Sequence, residues 1–369
     1  MTPLIYFSSS GVVKRSCLYL RLISSLCSMP FALRRLFMVV LLASAARSPL
    51  PSAIISSAVF LIISIFIFLI YSYYINKMPR KTLYLLVFVA GFIFVSLWSF
   101  YIITHPAKIY TESTPENMGL YYESVALETD SLKLSAWHVP VFAKEDEKIN
   151  TDVPVLVFLH GYPADKGDML LLALDFYPDY ALFFMDIRYF GESGGSMSTF
   201  GIKEKQDLKA VLNYLENAGY DKVGIVGFSL GGAVAIETAS TDNRVDAIIS
   251  YAAFSDLRKL GYDAYKNLLF LKYPLVELLN FWSWIFIGEF ASSISPAEKA
   301  SGLDIPIMII HSKTDDVIPV SHAERFRDAL KGNPLAEIYI FEKGLHGVLP
   351  PDFHFRARSF FEKAIGRDR

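Results

Sequence analysis

The 369-residue chain has only two cysteines, and both of them, Cys17 and Cys27, lie near its N-terminus. Residues 109–369 therefore contain no thiol, which excludes a disulfide framework and a cysteine nucleophile from that part of the chain. The sequence also has no phosphate-binding loop, no dinucleotide fingerprint and no histidine pair with metal-ligand spacing. We accordingly expect no cofactor and no metal.

Acidic residues are missing from residues 1–108, which carry ten of the chain's 35 Lys and Arg and none of its 37 Asp and Glu. The other 25 basic residues and all 37 acidic ones give residues 109–369 a formal net charge of −12. An acidic surface disfavours nucleic-acid binding, which requires a basic one. A basic, apolar first part joined to an acidic second part indicates a soluble domain attached to a membrane.

Residues 51–107 contain two apolar stretches, at about 53–75 and 83–103, that lack Asp, Glu, Lys and Arg. Each is long enough to cross a bilayer, for which about 20 residues suffice. Tyr and Trp side chains lie near their ends, as is common at membrane interfaces. The alternative is a pair of buried core helices, which the lack of any polar face disfavours. We predict one or two N-terminal transmembrane helices.

The loop between the two stretches, NKMPRK, is short and basic. Such loops stay in the cytoplasm, so the chain after the second stretch is expected on the extracytoplasmic side. The basic residues of segment 1–50 would then have to cross the membrane, and we treat that segment as an N-terminal extension whose status is open. A natural start at Met78 would remove the objection, because the sequence from there resembles a signal anchor.

Residues 108–369 have the pattern of an α/β domain. Two alternating segments, YYESVAL and LKLSAWHV, predict an opening hairpin. Short apolar runs then alternate with segments of helical spacing, and the predicted strands are residues 153–160, 181–187, 222–228, 245–252, 305–311 and 336–342. Continuous apolar strands separated by helices predict a mostly parallel sheet flanked by helices on both faces.

One apolar segment, at about 256–295, interrupts this alternation. It is too long for a simple connection, and we predict a small helical cap over the edge of the sheet. The alternative is a third segment in contact with the membrane. Lys272, Pro274 and Glu277 disfavour a full span.

Two segments match the pattern Gly-x-Ser-x-Gly, around Ser229 and around Ser193. In an α/β sheet, a nucleophilic serine lies on a tight turn between a strand and a helix. Ser229 has a strand, KVGIV, before it and a helix, LGGAVAIETA, after it, whereas Ser193 leads into a loop. The GESGG segment also looks like the motif of trypsin-like proteases, but those require an all-β fold. We therefore assign Ser229 as the nucleophile and interpret GESGG as a glycine-rich turn.

The second part of the chain resembles the α/β-hydrolase superfamily, in particular its serine esterases, lipases and prolyl-oligopeptidase-like members. The resemblance covers about residues 119–365. It depends on four segments in the order of the superfamily, namely FLHGYPADKGD, DIRYFGESGG, GFSLGG and SPAEKASGLDIPIMIIHSKTDDVIPVSHA. It implies an α/β-hydrolase fold and a catalytic triad in the chain order serine, acid, histidine.

Two carboxylates and two histidines compete for the remaining triad positions. Asp315 and Asp316 both follow a predicted strand, and the superfamily's Asp-x-x-Val/Ile-Pro spacing falls on Asp315. His346 and His354 both follow the last strand, and His346 occupies the glycine-flanked loop in which the superfamily has its histidine. The resemblance thus implies Asp315 as the acid and His346 as the base. His354 is expected on the closing helix.

The resemblance also implies an oxyanion hole made by the backbone N–H groups of Leu230 and of a residue in the HGYP turn, most simply Tyr162. We predict a serine hydrolase that cleaves a carboxylic ester, and the apolar cap suggests a lipid or another hydrophobic acyl ester. The expected partners are this substrate and a membrane. Two alternatives stay open, a serine peptidase or amidase and a non-catalytic binding protein with the hydrolase fold.

Overall fold

A computed structural model describes residues 79–129, 132–143 and 148–366 of the chain. The first predicted span at 53–75, the extension at 1–50 and Met78 all lie outside the described residues. The chain divides into two compact units, Met1–Phe94 and Val95–Arg369. The second unit contains the sheet and every predicted site residue.

An eight-stranded sheet forms the centre of the second unit, with the strand order β1-β2-β4-β3-β5-β6-β7-β8. The strands are β1 (Glu123–Thr129), β2 (Leu132–Val139), β3 (Val155–Leu159), β4 (Ala181–Met185), β5 (Val223–Phe228), β6 (Ala247–Tyr251), β7 (Ile307–Ser312) and β8 (Ala336–Phe341). The hairpin β1–β2 and the β2–β4 pair are antiparallel, and every other pair is parallel. The predicted mostly parallel sheet is confirmed.

Nine α-helices and six short 3-10 turns are described. They are α1 (Arg80–Thr104), α2 (Leu170–Ala173), α3 (Glu204–Asn217), α4 (Leu230–Ala239), α5 (Leu257–Ala264), α6 (Lys272–Ile287), α7 (Pro296–Ala300), α8 (Ser321–Ala329) and α9 (Phe353–Ile365). The 3-10 turns are Pro115–Met118, Lys166–Met169, Leu174–Phe176, Lys266–Leu271, Ala291–Ser293 and Leu330–Gly332. Within the predicted cap region the structure thus has α5, α6 and two of these turns.

The sheet is buried on both faces because its central strands have apolar side chains at successive positions. In β3, for example, Val157 belongs to the apolar cluster under α3 and α4, and Phe158 belongs to the cluster under α2 and α9. Phe158 also stacks on Phe184 of the neighbouring strand at 5.2 Å. Each fully buried side chain of this size contributes about 1.5–3 kcal/mol. The two clusters fix the strand ends from which the site loops emerge.

Helix α1 is long and apolar enough to cross a membrane, and it contains the predicted stretch 83–103. Its last part belongs to the second unit, where Ser96, Phe100 and Thr104 are buried. The final carbonyl groups of a helix lack partners within the helix. Here the carbonyl of Ile103 accepts from the Tyr162 hydroxyl at 2.8 Å, and that of Thr104 accepts from the backbone N–H of Ser198 at 2.9 Å. The end of α1 is therefore an integral part of this unit.

Candidate active site

Ser229 lies on the turn between β5 and α4, with the unusual backbone angles φ 51° and ψ −110°. The turn is tight because two glycines leave room for it. A Cβ on Gly231 would lie 2.3 Å from the carbonyl oxygen of Leu159, and a Cβ on Gly227 would lie 2.5 Å from the backbone of Gly231. Positive φ is costly for a serine and persists only where the surroundings enforce it. The motif around Ser229 is thus a strained strand–turn–helix that presents its hydroxyl above the sheet.

Ser229, His346 and Asp315 form a continuous series of hydrogen bonds. The Ser229 Oγ lies 3.1 Å from His346 Nε2, and His346 Nδ1 lies 2.8 Å from Asp315 Oδ2. The other carboxylate oxygen, Oδ1, accepts from the backbone N–H groups of Val317 and Ile318 at 2.9 and 2.7 Å. Burial alone would raise the pKa of Asp315, but these hydrogen bonds and the one with His346 outweigh it, so the pKa is lowered. An ionised Asp315 holds the imidazole with Nε2 directed at the serine.

The two competing residues have other contacts. Asp316 accepts the backbone N–H of His346 at 3.0 Å, so it holds the histidine loop and not the imidazole ring. His354 lies on α9, where its Nδ1 is 2.9 Å from Asp175 Oδ2 on a partly exposed surface. The structure therefore brings Asp315 and His346 to Ser229, and it does not bring Asp316 or His354 into the hydrogen-bonded series.

Ser193 lies in a buried turn and makes structural hydrogen bonds. Its hydroxyl donates to the carbonyl of Asp186 at 2.6 Å and accepts the backbone N–H of Ser135 at 2.9 Å. The same turn is tied down by Lys166, whose ammonium lies 2.6 Å from the Asp186 carboxylate and 2.7 Å from that of Glu192. Ser193 is 2% exposed, and no histidine is among the partners of its hydroxyl. These contacts account for the GESGG segment as a turn.

A further contact of serine, histidine and aspartate lies at the base of α5. His322 Nδ1 accepts the backbone N–H of Ser255 at 2.9 Å and lies 2.9 Å from its hydroxyl, while His322 Nε2 is 3.2 Å from Asp263 Oδ2. Burial lowers the pKa of His322 to about 4, with a further contribution from Lys259. Both Ser255 and His322 are completely buried. No substrate can reach this serine, so the contact serves to join α5 to α8.

The HGYP turn lies directly against the nucleophile. A Cβ on Gly161 would lie 2.6 Å from the Phe228 ring and 3.3 Å from the Ser229 Cβ. The backbone N–H groups of Tyr162 and Leu230 have no protein acceptor among the described residues. Both residues line the same cavity as Ser229. Two free N–H groups beside a serine hydroxyl are the donors that an oxyanion hole requires.

A cavity of about 300 Å³ opens at Ser229 and His346. Its walls are almost entirely apolar, and they come from α1, α5, α6 and the loop 199–202, with Phe100, Ile103, Phe200, Leu257, Val276 and Leu279 among the lining residues. The size is at the lower end of the range for small-molecule sites. The part contributed by α1 was not predicted from the sequence, which gave no signal that the end of an apolar helix would line the site.

Metal ions require clusters of ligand side chains. No group of three or more His, Cys, Asp or Glu among the described residues has side chains close enough to hold a metal ion. Among the described residues, the ionisable groups in the hydrogen-bonded series with Ser229 are those of His346 and Asp315. The arrangement suits acid–base and nucleophilic chemistry by protein side chains.

Comparison with known sequences gives hydrolases and uncharacterised proteins. The profile of the prolyl oligopeptidase family matches residues 196–366. The uncharacterized protein YqkD of Bacillus subtilis is 32% identical over 170 residues, which are 44% of this chain and 54% of that protein. The lysophosphatidylserine lipase ABHD12 of Xenopus tropicalis is 23% identical over 229 residues, 56% of this chain and 57% of that protein. The chain thus spans about half the length of these relatives.

Comparison with solved structures gives the same fold. The esterase Pf2001 of Pyrococcus furiosus has a TM-score of 0.58 at 24% identity, with 72% of this chain and 99% of that chain covered. The acylaminoacyl peptidase of Pyrococcus horikoshii has a TM-score of 0.53 at 21% identity, with 70% of this chain and 45% of that chain covered. At these identities the likeness concerns the fold.

Proposed function

We propose that this chain is a serine hydrolase of the α/β-hydrolase type that cleaves carboxylic esters with a hydrophobic acyl group. The observation that carries the proposal is the hydrogen-bonded series from Ser229 through His346 to Asp315, at the wall of an apolar cavity. Such a series is what converts a serine hydroxyl, a poor nucleophile by itself, into an active one.

In the proposed reaction, Ser229 Oγ attacks the ester carbonyl carbon while His346 Nε2 takes the hydroxyl proton. Asp315 keeps the imidazole in the required tautomer and stabilises its protonated form. The N–H groups of Tyr162 and Leu230 donate to the oxyanion that forms. His346 then gives the proton to the departing alcohol, which leaves an acyl group on Ser229. Water, deprotonated by His346, attacks this acyl group and releases the carboxylic acid and the free serine.

The apolar lining of the cavity supports a substrate with a hydrophobic acyl group. Its lining beyond the triad is made of side chains such as Phe100, Phe200, Leu257 and Leu279, which offer few hydrogen-bonding groups to a polar chain. Ligand pockets bind apolar groups by burying them and use a few polar groups for orientation. The relative from Xenopus tropicalis is named a lysophosphatidylserine lipase, which supports a lipid ester as the proposed substrate.

A direct test compares esters of one alcohol with acyl chains of increasing length, hydrolysed by the wild type and by Ser229→Ala. We expect the wild type to hydrolyse long-chain esters faster than short-chain esters, and we expect Ser229→Ala to hydrolyse none of them. Equal rates for short and long chains would contradict the assignment of the cavity, and hydrolysis that persists in Ser229→Ala would contradict the mechanism.

A peptidase or amidase is the second candidate, and the match to the prolyl oligopeptidase family favours it. The two candidates differ in the bond that is cleaved. A 4-nitrophenyl ester and a 4-nitroanilide with the same acyl group therefore separate them. If the protein is an esterase, kcat/KM should be much higher for the ester than for the anilide. Efficient cleavage of the anilide would favour an amidase.

We also propose that α1 anchors the protein in a membrane, with the second unit on the extracytoplasmic side. The length and apolar composition of α1 and the basic residues Arg80 and Lys81 at its start support this arrangement. The test labels Leu171→Cys, at a position 70% exposed, with an impermeant maleimide on intact cells after Cys17 and Cys27 are replaced by serine. We expect labelling before lysis. Labelling only after lysis would contradict the proposed orientation and indicate the opposite one.

A further inference from the structure

A large apolar surface lies on the outer side of α6, of the 3-10 turn before it and of the residues that follow it. We call it the cap surface, and its side chains are 41–73% exposed: Leu268, Leu269, Phe270, Tyr273, Phe281, Trp284, Ile285 and Phe290. The aromatic members are in contact, since the Trp284 ring lies 5.9 Å from Phe281 and is stacked on Phe290 at 5.9 Å. Contiguous apolar patches of this kind on a soluble protein indicate a binding surface for a partner or a membrane.

Helix α6 lacks the polar face that a helix in contact with water normally has. Its exposed residues are Tyr273, Pro274, Phe281, Trp284 and Ile285, none of which carries a charge. Both of its charged residues have other contacts. Glu277 accepts from the Arg258 guanidinium, and the Lys272 ammonium lies 5.2 Å from the Tyr273 ring centre. The Glu277 and Arg258 side chains are still 42% and 46% exposed, so apart from this ion pair the exposed side chains of α6 are uncharged.

The opposite side of α6 packs against the last part of α1. Trp282 Nε1 donates to Ser96 Oγ at 2.9 Å, and the Phe286 ring is stacked on Phe100 at 5.6 Å. Both contacts advance by four residues in the same direction, so α6 runs parallel to this part of α1. Along it, Val95, Trp98 and Ile102 of α1 are also 47–52% exposed. The exposed side chains of both helices along this contact are thus apolar.

The residues of α1 that contact α6 belong to the apolar stretch proposed to cross the membrane. Ser96 and Phe100 both lie within that stretch, which is long enough to span a hydrocarbon layer of about 30 Å. Trp282 and Phe286, which contact them, therefore lie beside the proposed membrane span.

From the cap surface and this contact with α1 we infer that the cap surface is inserted into the lipid bilayer that α1 crosses, so that the cavity receives its substrate from the bilayer. This inference rests on the proposed membrane attachment. The inner side of α6, with Val276, Leu279 and Ser283, lines the cavity, and so do Phe100 and Ile103 of α1. An acyl chain that passes between lipid and Ser229 therefore moves along apolar side chains and exposes little of its length to water.

The first test measures the environment of a spin label at Phe270→Cys, in full-length protein in phosphatidylcholine vesicles with Cys17 and Cys27 replaced by serine. Phe355→Cys on α9 is the matched control, because Phe355 is 78% exposed and Phe270 is 73% exposed. We expect the label at 270 to collide with oxygen, which dissolves in lipid, and to be shielded from water-soluble nickel EDDA. The label at 355 should behave in the opposite way.

Two results of this test would overturn the inference. A label at 270 as accessible to nickel EDDA as the label at 355 would mean that the cap surface faces water. Low collision rates with both reagents would mean that protein covers it. The melting temperature of each labelled protein and its flotation with the vesicles verify folding and attachment. Because the readout requires no turnover, it is independent of whether the proposed ester hydrolysis is correct.

The second test separates access from chemistry in Phe270→Asp, with Phe355→Asp as the control. The substrates are 4-methylumbelliferyl oleate in phosphatidylcholine vesicles and 4-methylumbelliferyl butyrate in solution. Removing one buried aromatic contact with lipid is expected to lower oleate hydrolysis about tenfold. Butyrate hydrolysis should be unchanged, and Phe355→Asp should affect neither. An equal loss on both substrates, or no loss on either, would contradict delivery from the bilayer.

Discussion

The hydroxyl of Tyr162 donates a 2.8 Å hydrogen bond to the carbonyl oxygen of Ile103. Tyr162 belongs to the turn beside Ser229, and Ile103 belongs to the last turn of α1, so one side chain joins the proposed oxyanion hole to the apolar helix. Burial raises the pKa of this phenol to about 12, which keeps it protonated and able to donate. The position of α1 and the geometry of the site are therefore coupled.

Tyr162→Phe tests this coupling. The variant keeps the backbone N–H of the oxyanion hole but leaves the Ile103 carbonyl without its donor, and the free energy of unfolding should fall by about 1 kcal/mol. Tyr189→Phe is the matched control, since it removes a similar 2.7 Å bond to the Pro106 carbonyl. Both variants should be destabilised in denaturant unfolding, but only Tyr162→Phe should also lower kcat. A kcat of Tyr162→Phe equal to that of the wild type would argue against the coupling.

Gly231→Ala should abolish activity by disrupting the turn at the nucleophile. The added Cβ would lie 2.3 Å from the carbonyl oxygen of Leu159, and backbone on both sides has no room to move. Gly332→Ala is the control, because nothing lies within 4 Å of its Cβ position. Hydrolysis assays and melting curves should show a large loss for the first variant and none for the second. A fully active Gly231→Ala would contradict the packing of this turn.

Asp315→Asn should lower kcat by about 10⁴, because an amide neither stabilises the protonated imidazole nor fixes its tautomer. Asp316→Asn provides the comparison at the adjacent position. Its amide oxygen can still accept the His346 backbone N–H, so kcat should change less than about tenfold. Steady-state kinetics of both variants measure the difference. A larger loss in Asp316→Asn would mean that the acid had been assigned to the wrong residue.

Glu237 should make stability depend on pH. It lies on α4, where burial raises its pKa from about 4.5 to about 7, against smaller opposing effects of the Ser295 backbone and nearby lysines. A group whose pKa is raised in the folded state favours folding at low pH, and this contribution is lost as the pH rises through about 7. Glu237→Gln should therefore match the wild type below pH 4.5 and be more stable at pH 8, by on the order of 3 kcal/mol.

Denaturant unfolding between pH 4.5 and 8 measures this effect. Glu298→Gln, on the exposed side of the neighbouring α7, should leave the pH dependence of the wild type unchanged. A pH dependence that persists in Glu237→Gln would show that another group is responsible.

Leu279→Trp should shift the substrate preference toward short acyl chains. Leu279 is on the cavity side of α6, and the larger ring would occupy space that a long chain needs. Ile285→Trp, at an exposed position of the same helix, should leave the preference for soluble esters as it is. The measurement is kcat/KM over a series of acyl lengths. If the dependence of kcat/KM on acyl length is the same in Leu279→Trp as in the wild type, the acyl group does not bind beside Leu279.

Much of the fold follows from local patterns in the sequence. The runs around Val157 and Phe183 are continuous, and such runs form strands buried on both faces, so their predicted bounds differ from the observed ones by only a few residues. The short helical turns between Lys166 and Phe176 were not predicted. They are too short to show a helical period, and they are held by tertiary contacts such as the Asp186 carboxylate accepting the backbone N–H of Lys166 at 2.7 Å.

The hydrogen-bonded series at Ser229 was predictable because motif spacing limits each choice to two residues. The sequence does not show that the end of α1 lines the cavity. Thr104 and Phe100 read as the end of an apolar stretch, and their burial depends on partners far along the chain, such as Ser198 and Phe286. Long-range packing of this kind leaves no local periodicity to detect.

The central claim, that Ser229 is the nucleophile, is tested most directly by a fluorophosphonate probe on membranes that contain the wild type, Ser229→Ala or Ser193→Ala. The account predicts labelling of the wild type and of folded Ser193→Ala, and none of Ser229→Ala. Labelling that survives in Ser229→Ala would contradict the assignment of the nucleophile. A folded wild type that never reacts would contradict the catalytic function itself and favour a binding protein with the hydrolase fold.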